Sequence, residues 1–86
     1  MKTILKFKLD VCDKQTIKIP KDYIFLDIKK QLGDIVLFAY VDTDQELTDV
    51  SIKCYGEYYN MPDELDGPYL GCAVCGDYVW FYFLDV

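Results

Sequence analysis

The stretch from Tyr69 to Leu84 constrains the fold more than any other. Two apolar runs of strand length, Tyr69-Leu70-Gly71-Cys72-Ala73-Val74-Cys75 and Tyr78-Val79-Trp80-Phe81-Tyr82-Phe83-Leu84, meet at Gly76-Asp77. A Gly-containing pair between two aromatic and β-branched segments is a hairpin signal, because a two-residue turn needs a residue that tolerates positive φ. The same stretch carries the single Trp of the chain and its only close pair of cysteines. It predicts that Trp80, with Tyr69, Phe81 and Phe83, anchors a β core and contributes to a subunit contact, with Gly76-Asp77 setting the register.

The preceding chain carries the same kind of pattern. From 2 to 11, Thr3, Leu5, Phe7, Leu9 and Val11 alternate with Lys2, Lys6, Lys8 and Asp10, Ile4 being the exception, which describes a half-buried strand with a charged outer face. After a turn at Cys12-Asp13-Lys14, residues 15–19 resume the alternation, and the two segments are expected to form a hairpin. Residues 23–31 fit either period, since Ile24, Leu26 and Ile28 suit a strand while Ile24, Ile28 and Leu32 suit a helix. β-branched and aromatic content favours the strand. A turn at Gly33-Asp34 leads into Ile35-Val36-Leu37-Phe38-Ala39-Tyr40-Val41, whose two apolar faces both call for cover, inside a barrel or sandwich or beneath a second subunit. Residues 47–55 alternate again, and 57–68 form a long loop with two adjacent Tyr and four acids. Six or seven short strands spaced by turn signals predict one all-β domain over residues 1–86, a small antiparallel barrel or sandwich, with a β-rich α+β fold as the alternative.

Charge narrows the function. Residues 1–30 hold eight Lys against four Asp, whereas residues 31–86 hold Lys53 alone against eleven acids. The chain contains neither Arg nor His. Arg is the usual bidentate reader of phosphates and base edges, so direct nucleic-acid binding is disfavoured. An acidic surface of this kind suits solubility, or docking on a basic protein surface, including that of a protein that normally binds nucleic acid. No apolar run approaches the roughly 18 to 20 residues of a membrane span, and Lys interrupts the start where a secretory leader needs continuous apolar residues. The expected location is the cytoplasm. An apolar content of 52%, with 16% aromatics, exceeds what a core of this size needs, so self-association is also expected.

Candidate chemistry is thin. Cys72-Ala73-Val74-Cys75 has the spacing of half a zinc site, but the remaining ligands would have to be the isolated Cys12 and Cys54, and residues three apart on a strand face opposite ways. We read Cys72 and Cys75 as packing residues, with zinc the alternative, and all four thiols as free. Asp42-Thr43-Asp44-Gln45-Glu46 has oxygen ligands in series but lacks the Gly and the terminal Glu of a calcium loop. Asp63, Glu64 and Asp66 sit on a Pro/Gly-rich loop rather than in a pocket that would separate their pKa values. Tyr58, Tyr59 and Trp80 could stack on bases only beside a basic groove. No catalytic residue or cofactor is assigned, and the chain is not expected to be an enzyme.

One pattern runs the length of the chain: Ile17 to Lys21, Gly33, Val41-Asp42, Ile52, Tyr55-Gly56, Met61-Pro62, Tyr69-Leu70-Gly71 and Val79-Trp80. In order and spacing it resembles a family of small bacteriophage and prophage proteins built on a domain of unknown function. The resemblance implies a phage origin and a compact β fold, and it carries over no catalytic residue. The family commonly has other residues at Cys72 and Cys75 and often a His in place of Phe81. Those departures favour packing roles for the two cysteines.

The function expected on these grounds is that of a phage or mobile-element accessory protein, active in the host cytoplasm. It would bind a host protein stoichiometrically, for instance to inhibit a defence system in the manner of an anti-CRISPR. The binding residues would be Tyr58, Tyr59, Asp63, Glu64 and Asp66, together with Asp42, Asp44 and Glu46. The alternatives are a homo-oligomeric structural or assembly protein of a phage, and a small-molecule sponge.

Overall fold

A computed structural model describes residues 1–85 as seven strands: β1 (Lys2–Leu9), β2 (Lys14–Pro20), β3 (Ile24–Gln31), β4 (Asp34–Asp42), β5 (Leu47–Gly56), β6 (Tyr69–Cys75) and β7 (Tyr78–Leu84). There is no helix among the described residues, and 24–31 is a strand, as its β-branched content predicts. All pairings are antiparallel. The strands form a three-stranded sheet, β1-β4-β3, and a four-stranded sheet, β2-β5-β7-β6, so the domain is a sandwich rather than a closed barrel.

The expected β1–β2 hairpin does not form. β1 pairs with β4 from Lys2↔Asp42 to Leu9↔Ile35, and β2 pairs with β5 in the other sheet. The chain between them is an arch from one layer to the other, locked by Gln15. Its Nε2 donates to the Asp10 carbonyl at 2.9 Å, while its Oε1 accepts from the Asp10 N–H at 3.0 Å. The Tyr82 hydroxyl donates to that carbonyl as well, at 3.0 Å, tying the arch to the middle of β7. Alternation reports which face of a strand is buried and is silent on which strand lies beside it.

The β3–β4 turn is Leu32-Gly33, one residue earlier than expected, with φ values of 51° and 86° and Gln31 opposite Asp34. Both central residues thus have the positive φ of a type I′ turn, and Leu32 holds it with a side chain 96% exposed. The β6–β7 turn at Gly76-Asp77 sets Cys75 opposite Tyr78, as predicted.

Ile19, Leu37, Val41, Ile52 and Tyr82 are the largest fully buried side chains. Tyr82, not Trp80, is therefore the central aromatic. Trp80 is half-buried at the margin of the core, where its Nε1 donates to the Cys75 carbonyl at 3.0 Å. Both face inward on β7, Trp80 nearer its start, where Tyr59 and Tyr78 pack against it. On β4, Ile35, Leu37, Ala39 and Val41 face the core, and the opposite face is only partly covered: Phe38 is half-buried and Tyr40 exposed. Val36 owes its burial to Lys6, whose Nζ reaches from β1 to Gln31 Oε1 on β3 at 2.9 Å and so lays its stem across β4.

Along one side the two sheets meet at β3 and β6, both edge strands and both bulged, at Phe25/Asp27 and at Tyr69/Gly71. Gly71 permits this approach: at φ 148° its absent Cβ would lie 3.1 Å from Ile28 Cβ and 3.3 Å from the Ile28 backbone nitrogen.

Candidate protein-interaction site

Every residue of β7 is apolar, so one of its faces must lie outside the core. Cross-strand register places Phe81 between Tyr55 and Cys72, and Phe83 between Lys53 and Tyr69, on the outer face of the four-stranded sheet. Tyr55 meets Phe83 edge to face at 5.8 Å, and Tyr69 packs on Phe83 at 5.3 Å. These pairs carry interaction energy beyond area burial.

The loop after β5 covers part of this surface, because β7 pins it at both ends. The Glu57 N–H donates to the Val79 carbonyl at 3.0 Å and the Glu57 carboxylate accepts the Val79 N–H at 2.9 Å. At the other end the Leu84 N–H donates to the Pro68 carbonyl at 2.9 Å. Between these anchors Tyr59 stands perpendicular to Trp80 at 5.8 Å. Gly56 makes room for this pair, since a Cβ there would lie 2.8 Å from Trp80 Cζ3 and 2.9 Å from Tyr59 Cε1. Tyr58 has φ 67° and is 92% exposed.

The result is a hollow of about 240 Å³, to which the sheet gives Tyr55, Phe81 and Phe83 and the loop gives Tyr58, Tyr59 and Met61. A second hollow of about 470 Å³ shares the Tyr55 and Tyr59 wall and is mixed in character, with Asp13, Lys14, Lys53 and Asp85 around it. There Lys14 lies 2.9 Å and Ser51 Oγ 3.1 Å from the Asp85 carboxylate. Lys14 first, and then Ser51, hold that carboxyl below its ordinary range.

The predicted binding residues fall into two groups that the fold separates. Tyr58 and Tyr59 line the apolar hollow, and Asp63, Glu64 and Asp66 stand exposed on the same loop. None of these three acids belongs to any of the ion pairs among the described residues. Asp42 and Asp44 instead hold the N-terminal ammonium at 3.2 and 2.9 Å, and Glu46 holds Lys21 at 3.3 Å. The Asp44 N–H, ahead of that ammonium, lowers the Asp42 pKa. These acids flank the start of β5 and the aromatic loop leaves its end, ten residues on. At roughly 3.3 Å per residue Tyr58 and Tyr59 lie about 30 Å along β5 from the first group, and from there the loop returns to Pro68 beside Leu84, which pairs with Ile52.

All four cysteines are free. Cys72 is exposed beside Phe81, Cys75 packs on the core, and no cluster of three metal-ligating side chains occurs among the described residues. Burial pushes the Cys54 thiol up to about 11. The neighbouring Cys72 thiol, followed by desolvation, pushes the Tyr69 hydroxyl up to about 12.

Tyr55, Met61, Phe81 and Phe83 were missed as site residues. The signal that could have found them is the surplus on β7, where both faces are apolar and only one fits the core. No curated protein and no solved structure matches the chain. A model of a domain of unknown function (DUF7352) matches residues 1–86, and the chain belongs to that family.

Proposed function

We propose that this chain acts by stoichiometric binding to a protein with a basic surface, through the 57–68 loop and the aromatic hollow beside it. The observation that carries this reading is the coincidence, on one loop, of three carboxylates without ion-pair partners and a concave aromatic surface. Elsewhere Asp34, Asp42, Asp44, Glu46, Asp49 and Asp85 have cationic partners within the chain, while Asp10, Asp13, Asp22 and Asp77, in none of the ion pairs among the described residues, lie outside this loop. The aromatic hollow, at about 240 Å³, is smaller than the roughly 300–1,000 Å³ of small-molecule sites, which favours a single side chain over a whole metabolite in it. Aromatic faces with carboxylates nearby suit a Lys or Arg side chain, held by cation–π attraction and steered by charge.

The resemblance to small phage proteins, the acidic balance and the size support a finer version. In it the chain is a phage or mobile-element accessory protein in the host cytoplasm, and its target is a host protein, such as a nucleic-acid-binding component of a defence system. Inhibition would then come from occupying the basic surface rather than from catalysis. Capture of a partner from host lysate by the tagged protein tests the reading. The doubly reversed variant Asp63→Lys/Glu64→Lys should lose the partner while remaining folded, and undiminished capture would remove the loop from the binding site. A second reading, self-assembly, is favoured by the exposed apolar side chains of Ile4, Ile24, Leu26 and Tyr40 on the three-stranded sheet.

A further inference from the structure

The second hollow, at about 470 Å³, falls within the roughly 300–1,000 Å³ of small-molecule sites, unlike the aromatic hollow beside it. Register builds its floor. Ser51, Lys53 and Tyr55 follow one another on the outer face of β5, with Lys14 of β2 on one side of Lys53 and Phe83 of β7 on the other. Tyr59 and Asn60 come from the loop, and Asp13 from the end of the arch, where its carbonyl accepts the Cys54 N–H at 3.0 Å. The lining includes four charged residues, and two of them satisfy each other: Lys14 Nζ lies 2.9 Å from Asp85 Oδ2, which also accepts from Ser51 Oγ at 3.1 Å. Lys53 and Asp13 are left, opposite in sign, and neither belongs to any of the ion pairs among the described residues. Lys53 is half-buried and the only cationic side chain of residues 31–86.

We propose that this hollow binds a small zwitterion with a flat apolar side group, the chemistry of a free aromatic α-amino acid. The ligand carboxylate meets Lys53, its ammonium meets Asp13, and its ring lies against the wall of Tyr55 and Tyr59. Charge selects this class. A monoanion would answer Lys53 and leave the Asp13 carboxylate facing a like charge, and a monocation would answer Asp13 and leave Lys53 opposed in the same way. A ligand that carries both signs leaves neither group unanswered. The aromatic wall is fixed before the ligand arrives, because Tyr55 rests edge to face on Phe83 and Tyr59 on Trp80, each at 5.8 Å. A third ring adds to such a cluster offset or edge-on, with no rearrangement of the first two. Asn60 supplies an amide at the rim, able both to donate and to accept. The loop acids Asp63, Glu64 and Asp66 take no part, so this site is distinct from the protein-binding surface although the two share Tyr55 and Tyr59.

Titration of L-phenylalanine into the isotopically labelled intact protein, followed by nuclear magnetic resonance, tests the proposal. The backbone amides of Asp13, Lys53, Tyr55 and Asn60 should shift saturably, with a Kd of about 1 mM or below, as suits a small ligand in an open hollow. Hydrocinnamate lacks the ammonium and phenethylamine lacks the carboxylate, and each should bind about fivefold more weakly. Variants should match ligands. Lys53→Gln should weaken L-phenylalanine about fivefold without weakening phenethylamine, and Asp13→Asn should weaken it about fivefold without weakening hydrocinnamate. Lys53→Arg keeps the charge and should bind within about threefold of the original. Circular dichroism should show all three variants folded. Asp63→Lys should leave the Kd unchanged, so failure here and failure of protein binding through the loop are told apart. No saturable shift at these amides up to about 10 mM, equal affinity for the three ligands, or variants that weaken all three ligands alike would each overturn the proposal.

Discussion

Replacing Gly56 with Ala tests how the aromatic hollow is built. A methyl group at this position would meet Trp80 Cζ3 at 2.8 Å and Tyr59 Cε1 at 2.9 Å, at least half an ångström inside ordinary contact. Trp80 cannot withdraw freely, since its Nε1 is bonded to the Cys75 carbonyl at 3.0 Å. Tyr59 is 48% exposed and lies on a loop, so it is the ring that should move. Overpacking costs about 1–3 kcal/mol, while Gly→Ala gives back about 0.4–1 kcal/mol through the unfolded chain. The net loss should be about 1 kcal/mol, a fall in Tm of about 4–8 °C for a domain of this size. Thermal denaturation followed by circular dichroism measures it. Emission from Trp80, the only tryptophan, reports whether the ring beside it has shifted. In the Gly56→Ala background, Tyr59→Ala should cost less than in the original protein, because the displaced ring no longer makes its perpendicular contact. A Gly56→Ala protein with a raised Tm and unchanged emission would refute the close packing on which the hollow depends.

Three further expectations follow from the geometry. Leu32→Asn should stabilise the domain by about 1 kcal/mol in chemical denaturation, because Asn tolerates the left-handed conformation that costs Leu about 1–2 kcal/mol and makes an Asn-Gly type I′ turn. A thiol reagent at pH 8 should modify Cys12 and Cys72 quickly, Cys75 slowly and Cys54 only on unfolding, in line with their exposure and the raised Cys54 pKa. The Asp85 pKa lies below its ordinary 3.8, so its stabilising contribution is present above that pH and is lost as pH falls through the lower folded value. An acid titration of Tm should therefore fall less steeply below pH 4 in Asp85→Asn.

Strand positions and buried faces were legible because a pleated strand repeats every two residues. Val50, Ile52 and Cys54 face the core opposite Ser51, Lys53 and Tyr55, as their alternation requires. Pairing was not legible. Cys12-Asp13-Lys14 suits a hairpin and an arch equally, and only the long-range contacts of Gln15 and Tyr82 with Asp10 distinguish them. The apolar run on β4 suggested two covered faces, but the reach of Lys6 to Gln31, which covers Val36, depends on a neighbour assigned by the fold. Tyr58 and Tyr59 could be singled out as adjacent aromatics in a long loop. Their partners Phe81 and Phe83 looked like core until the register set them on the outer face. The six acids named as candidate binding residues fall into two sets that sequence spacing could not reveal, Asp42, Asp44 and Glu46 flanking the start of β5 and Asp63, Glu64 and Asp66 lying on the loop that follows its end.

The affinity of the captured partner for three forms of the protein, measured by titration calorimetry, tests the proposed binding most directly. Reversal at Asp63 and Glu64 should weaken a 1:1 complex by about tenfold to a hundredfold, whereas Glu46→Lys, at the far end of β5, should leave it within about threefold. Equal losses from both changes, or no loss from the loop reversal, would contradict binding through the 57–68 loop.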